Sequence, residues 1–167
     1  MSDKIEKALG RWPDFVIGDV DNPYLLRWYV IPRNRFFNIY LHKFCRSDDD
    51  RALHDHPWLF NFSILLEGTY HEHLPGDKRV RRMAGKLSGF KFRWGKSPHR
   101  VKLLNNVVQE FIPRWGLRID GEEPVWTLFI TGPKVREWRF YCPKGWRHWK
   151  DFVSVRPGGN DTGRGCE

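Results

Sequence analysis

The sequence is poor in cysteine and has no long apolar run. Its three cysteines, Cys45, Cys142 and Cys166, lie far apart and form no Cys-x-x-Cys pair. That excludes a cysteine-ligated zinc module and argues against a disulfide framework, so a reducing compartment is expected. No stretch approaches the roughly 18 to 20 apolar residues that a membrane-spanning helix needs. The start of the chain mixes Asp3, Lys4, Glu6 and Lys7, unlike the apolar centre of a signal peptide. A soluble, cytoplasmic protein with no membrane partner is the expectation. Nor does any segment repeat with a period of about 20 to 50 residues, which excludes solenoids and propellers. Acidic residues are the minority: 20 Asp and Glu against 29 Lys and Arg leave a formal charge of +9, which favours anionic ligands.

What the sequence does have is enough apolar material for one core: 40% of its 167 residues are hydrophobic and 16% aromatic, which excludes wholesale disorder. Residues Ser2 to Leu9 read as a short helix with Ser2 as its N-cap and Ile5, Ala8 and Leu9 on one face. From Tyr24 onward, short β-branched and aromatic runs alternate with turn residues, the pattern of an all-β sandwich or barrel. The expected strands are Leu25 to Ile31, Phe36 to Phe44, Phe60 to Leu66, Thr69 to Leu74, Lys78 to Met83, Gly89 to Trp94, His99 to Leu104 and Trp126 to Thr131. This organisation predicts an N-terminal helix and extension over 1–24, a β domain over 25–140, and a Trp-rich wrap with a mobile tail over 141–167.

The seven histidines carry the chemistry. His54 and His56 form one His-x-His pair and His71 and His73 another, while His99 opens an apolar strand. On a strand, residues two apart share a face, so His54 and His56 can offer two imidazoles to one metal ion while Asp55 points away. His99 is the leading third ligand, and the remaining coordination positions stay open.

The stretch His54-Asp55-His56-Pro57, followed by Phe62-Ser63-Ile64-Leu65-Leu66-Glu67-Gly68, resembles the first motif of the cupin superfamily. Ala84-Gly85-Lys86-Leu87 and Ser97-Pro98-His99-Arg100-Val101 resemble the second. Two motifs in order are more specific than either alone. The resemblance covers roughly residues 36 to 131 and implies a double-stranded β-helix, the jelly-roll barrel of cupins, with His54, His56 and His99 as metal ligands. Many cupins carry a glutamate ligand at the position of Asn61. Asparagine there leaves three neutral imidazoles, similar to the cysteine dioxygenase branch. A homodimer is a further expectation by analogy.

A divalent ion held by three neutral ligands keeps its full charge and favours a small anionic substrate. Asn61, Arg93, Arg100 and Trp126 are the residues expected to bind it. Arg46 and Lys102 also lie near the motifs and can hold a carboxylate or phosphate, Arg in a bidentate fork. His42, His71 and His73 are the candidate proton carriers. The leading expectation is an Fe(II) dioxygenase-type enzyme. Its rivals are a Zn, Ni or Mn isomerase or lyase, and a non-catalytic cupin that binds a small ligand or nucleic acid. The run Lys78-Arg79-Val80-Arg81-Arg82 reads as a guarded edge strand, with a nucleic-acid patch as the lesser reading. Most of the nine tryptophans read as packing.

Overall fold

A computed structural model describes residues 3–18, 23–48, 52–106, 110–112, 116–118, 121–152 and 165–167. Helix α1 (Asp3–Leu9) precedes strands β1 (Phe15–Gly18), β2 (Pro23–Tyr29), β3 (Asn38–Phe44), β4 (Leu53–His54), β5 (Phe60–Glu67), β6 (Thr69–Leu74), β7 (Lys78–Met83), β8 (Phe90–Trp94) and β9 (Arg100–Leu103). Two small ladders follow, made by β10 (Asn105–Asn106) with β13 (Gly121–Glu122) and by β11 (Glu110–Ile112) with β12 (Gly116–Arg118). Strands β14 (Val125–Thr131), β15 (Arg139–Cys142) and β16 (Gly145–His148) and the short helix α2 (Trp149–Phe152) complete the fold.

One sheet has the order β1-β2-β3-β14-β5-β8. The other is built from β7-β6-β9 and β16-β15-β4, joined where His54 and His99 pair as an antiparallel bridge. The two sheets meet face to face as the expected jelly roll. Leu65 and Val125 of the first pack against Tyr70, Val101 and Leu103 of the second to fill one end of the interior. All pairings within these sheets are antiparallel.

The expected strands that form the two sheets are present, with boundaries that move by at most two residues. Strands β1, β4, β15 and β16 carry no readable alternation over their few residues and were not expected. At β2, β3 and β14 the first sheet is covered on its outside as well, because α1 lies across it: Ile5, Leu9 and Leu26 pack on Trp28, Leu41 and Trp126. Trp28 stacks on Trp126 at 5.2 Å between ring centroids. Burying side chains of this size stabilises by roughly 1.5–3 kcal/mol each, which makes α1 part of the fold. The expected Ser2 cap lies outside the described residues.

Two glycines are required by close approach. At Gly68, where φ is +89°, a Cβ would sit 2.7 Å from Val125 Cγ1, so the tight Glu-Gly turn admits no side chain. At Gly95 a Cβ would lie 1.7 Å from the Trp58 carbonyl oxygen.

The cysteines depart from expectation. Cys142 and Cys166 form a disulfide across a sequence separation of 24, and only Cys45 is free. Both partners pack on the cluster of Ala52, Phe140 and Phe152, which brings the end of the chain back to β15. Of the tail expected to be mobile, residues 156–164 lie outside the described residues, while Cys166 is anchored and the Gly165 amide donates to the Phe152 carbonyl at 3.1 Å. Sequence spacing could not reveal this pair, because tertiary packing makes it. No helix among the described residues is long and apolar enough to cross a membrane.

A loop of this length predicts that the bridge contributes about 3 kcal/mol through loss of chain entropy in the unfolded state. Cys142→Ser and Cys166→Ser should each lower the urea midpoint of unfolding by a similar amount, and excess reductant should do the same to the parent chain. A midpoint unmoved by both treatments would count against the bridge.

Candidate metal centre

The site is assembled by backbone pairing. His54 ends β4, and its amide and carbonyl exchange hydrogen bonds with those of His99 at 3.0 and 2.9 Å. His56 continues the extended segment and donates its amide to the Gly95 carbonyl at 2.8 Å, so the bare Cα of Gly95 sets how closely the ligand segment approaches its neighbour. The three imidazoles converge with ring centroids 5.0–5.4 Å apart, and one nitrogen from each lies within 4.8 Å of the others. Asp55, between the two histidines, points the other way as the spacing predicts. It is fully buried, accepting from the Arg139 amide and the Tyr141 hydroxyl and pairing with Arg136 at 3.2 Å.

The donor set fits a divalent ion. Nε2 of His56 and Nε2 of His99 lie 2.9 Å apart, close to the roughly 3 Å separation of two nitrogens bound at right angles about 2.1 Å from one metal. Burial, and then the neighbouring charges, hold His56 well below the ordinary histidine range and push His99 down to about 3. Both are therefore neutral at physiological pH, with lone pairs available. His99 Nδ1 lies 3.2 Å from Glu72 Oε1, and His54 Nδ1 lies 3.7 Å from Asp48 Oδ2. A carboxylate beside Nδ1 favours the tautomer that leaves Nε2 free to bind metal.

Glu72 went unremarked in the sequence, where it sits between two more conspicuous histidines. Fully buried on β6, it accepts hydrogen bonds from Arg82 at 2.7 and 2.5 Å and from Arg93, one of them from Nε at 2.8 Å. Burial alone would raise its pKa, but the bond to His99 and the charge of Arg93 outweigh this and hold the carboxyl well below the usual range. Glu72 is therefore charged, and its two arginines leave the cluster with a net positive charge.

The histidines open on a cavity of about 260 Å³, near the small end for ligand sites. Its walls are largely apolar, with Leu25, Phe44, Trp58, Phe129 and Trp138 among them. Arg27 of β2 also lines it. Its guanidinium lies 4.7 Å from the Tyr40 ring centroid, and its Nε donates to His42 Nε2 at 2.9 Å. Among the described residues no carboxylate faces this arginine. Burial, followed by the Arg27 charge, holds His42 well below its ordinary pKa, so it remains a neutral acceptor.

The other expected residues are dispersed. His42 lines the cavity, but its Nε2 lone pair is committed to Arg27. His71 and His73 occupy the outer face of β6, because the inner positions belong to Tyr70 and Glu72. Arg100 likewise faces outward, opposite the inward-facing His99 and Val101. Trp126 is fully buried beneath α1, on the far side of its sheet from the cavity. Asn61 is fully buried opposite Arg93 and Thr131 and does not line the cavity. Arg93 does line it, although its guanidinium is engaged by Glu72.

No family model and no curated protein matches the sequence. Similar solved structures include an uncharacterized conserved protein with a double-stranded β-helix domain from Klebsiella pneumoniae, with 12% identity, 76% of this chain and 90% of that chain covered, and TM-score 0.48. A cupin-2 domain containing protein from Shewanella frigidimarina has 12% identity, 79% and 93% coverage and TM-score 0.45. The DMSP lyase DddQ from Ruegeria pomeroyi has 13% identity, 77% and 58% coverage and TM-score 0.49.

Glu72→Ala would leave two buried guanidinium groups without their shared anion, and breaking a buried pair in this way costs roughly 3–5 kcal/mol. Urea unfolding should show a loss in that range. A loss under about 1 kcal/mol, the scale of an exposed pair, would mean that solvent already neutralises the cluster.

Proposed function

We propose that this chain is a mononuclear metal-dependent enzyme acting on a small anionic substrate, with Fe(II)-type oxygen chemistry as the favoured reaction. The observation that carries the reading is the convergence of three imidazoles, those of His56 and His99 held neutral by burial, on a small, mostly apolar cavity that also holds Arg27, a guanidinium that no carboxylate among the described residues faces. His54, His56 and His99 would hold the metal. When bound, it would supply a Lewis-acidic centre with open positions for substrate and oxygen.

The chain's own residues define what can enter. Arg27, stacked on Tyr40 and braced by His42, presents its terminal nitrogens as a fork for a carboxylate or similar oxyanion. This replaces Arg100 and Trp126 in that role. The apolar walls exclude water from the body of the substrate, which strengthens the charge interactions at its ends. Proton carriers within the cavity are engaged: His42 accepts from Arg27, and Asp48 accepts from Tyr24 and from the Val101 amide. That arrangement favours oxygen chemistry over an isomerase or lyase that depends on a free base.

Elemental mass spectrometry of untagged protein should find about one equivalent of divalent metal, lost in His54→Ala and His99→Ala. After anaerobic Fe(II) loading, oxygen uptake with a panel of small thiol and hydroxy carboxylates should identify turnover. Arg27→Met should keep the metal but weaken carboxylate binding by about 10- to 100-fold, the scale of one charge-assisted hydrogen bond. Absence of metal even after loading would overturn the reading, and metal-dependent turnover without oxygen would transfer it to the lyase or isomerase class.

A further inference from the structure

The outer face of the second sheet has a composition that the metal site does not explain. Cross-strand register places Trp146 beside Tyr141, Tyr141 beside Leu53, Arg100 beside His73 and His73 beside Arg79. The His54–His99 bridge puts Leu53 next to Arg100, so these six residues form one continuous row across the sheet. A second row beside it carries Lys102, His71 and Arg81. No acidic residue occupies an outward position of β6, β7 or β9. Arg79, Arg81 and Lys102 are exposed.

The aromatic end of the row is held in place. Trp146 is 61% exposed and Tyr141 38%. The Tyr141 hydroxyl donates to buried Asp55 at 3.2 Å, and Arg139, paired with the same carboxylate, lies 5.4 Å from the Trp146 ring centroid. Neither ring is needed by the core. At about 4.8 Å per strand the row spans roughly 24 Å, with rings at one end and cations at the other.

We infer that this face binds single-stranded nucleic acid, with unpaired bases stacking on Trp146 and Tyr141 and the phosphate backbone running over Arg79, Arg81 and Lys102. Two features select this partner: the exposed cations Arg79, Arg81 and Lys102, on strands whose outward positions carry no carboxylate, match a phosphate chain, and the aromatic rings at the end of the row match unstacked bases. An anionic membrane or an acidic protein would use the cations but not the ring platform. The span suits the low end of the roughly 4 to 16 nucleotides that single-strand-binding domains cover.

Fluorescence anisotropy with labelled oligothymidylate and oligouridylate tests the inference on the full chain. The affinity of the parent chain should fall with salt, with a logarithmic slope near −0.7 for each phosphate contacted. The triple variant Arg79→Gln, Arg81→Gln, Lys102→Gln should flatten that slope by about 2. Trp146→Ala should weaken binding about 5- to 100-fold, while Trp146→Phe should recover most of the loss. Circular dichroism and metal content should match those of the parent chain, because every substituted side chain lies outside the barrel. Absence of binding by the parent chain, or an unchanged slope in the triple variant, would overturn the inference. So would a Trp146→Ala chain that binds like the parent, or equal affinity for duplex DNA or phosphatidylserine vesicles, either of which would indicate attraction of polyanions in general.

Discussion

The pairing of His54 with His99 is the interaction on which the rest depends. Their backbones exchange two hydrogen bonds and so close β7-β6-β9 and β4-β15-β16 into one sheet. Through the same bonds the two ring-bearing Cα atoms come side by side. A ligand pair made in this way needs no long-range accident of side-chain reach, because strand geometry fixes both the separation and the facing direction. His56 then enters by its place two residues beyond His54, and the glycine at position 95 lets its segment lie close to the neighbouring loop.

Charge determines what this geometry can hold. His56 and His99 are neutral, and the two carboxylates beside the ligands are engaged elsewhere: Glu72 is shared with Arg82 and Arg93, and Asp48 accepts from Tyr24 and from the Val101 amide. The ligand set therefore supplies no negative charge to a metal ion, and the cluster behind it carries a positive excess. Arg27 adds another cation at the cavity wall. A buried site of this sign lowers its energy by taking an anion, and a small cavity with apolar walls admits one of limited size. Burial, reinforced by the Arg27 charge, keeps His42 neutral and leaves the guanidinium as the available charge, which reverses the roles that residue type alone suggests.

Much of the architecture was legible in the sequence because it follows local rules. Alternation located the strands, the His-x-His spacing put two imidazoles on one face and Asp55 on the other, and the motif order brought in His99. The misplacements share a physical cause. Alternation separates a wet face from a dry one only where a sheet is covered on one side, yet α1 covers the outside of the first sheet at β2, β3 and β14. Trp126 is consequently core on the outer side, while Arg27, between Leu26 and Trp28, turns inward to the cavity. In β6 the inward pair is Tyr70 and Glu72, so His71 and His73 fall outside. Strand parity could have shown this once the face of one residue was known, but nothing local fixes that face. The Cys142–Cys166 bridge was hidden for a different reason, since its partners meet only after the C-terminal aromatic cluster forms.

The same parity gives β6 and β9 two unrelated functions in one backbone. Inward, Tyr70, Glu72, Val101 and Leu103 fill the core and brace His99; outward, His71, His73, Arg100 and Lys102 share the cationic face. A one-residue slip of β9 would put Arg100 and Lys102 in the core, and a slip of β6 would put His71 and His73 there and Glu72 in solvent. Register is thus under double constraint, and the buried Glu72–Arg82 pair enforces it by tying β6 to β7 on the inside while like charges accumulate on the outside. The repulsion among those outer cations is tolerable because water screens it, whereas inside the barrel Glu72 has to sit between Arg82 and Arg93 to offset theirs. Solvent screening on the outer face and a shared carboxylate on the inner one let so basic a chain keep a polar centre inside its barrel.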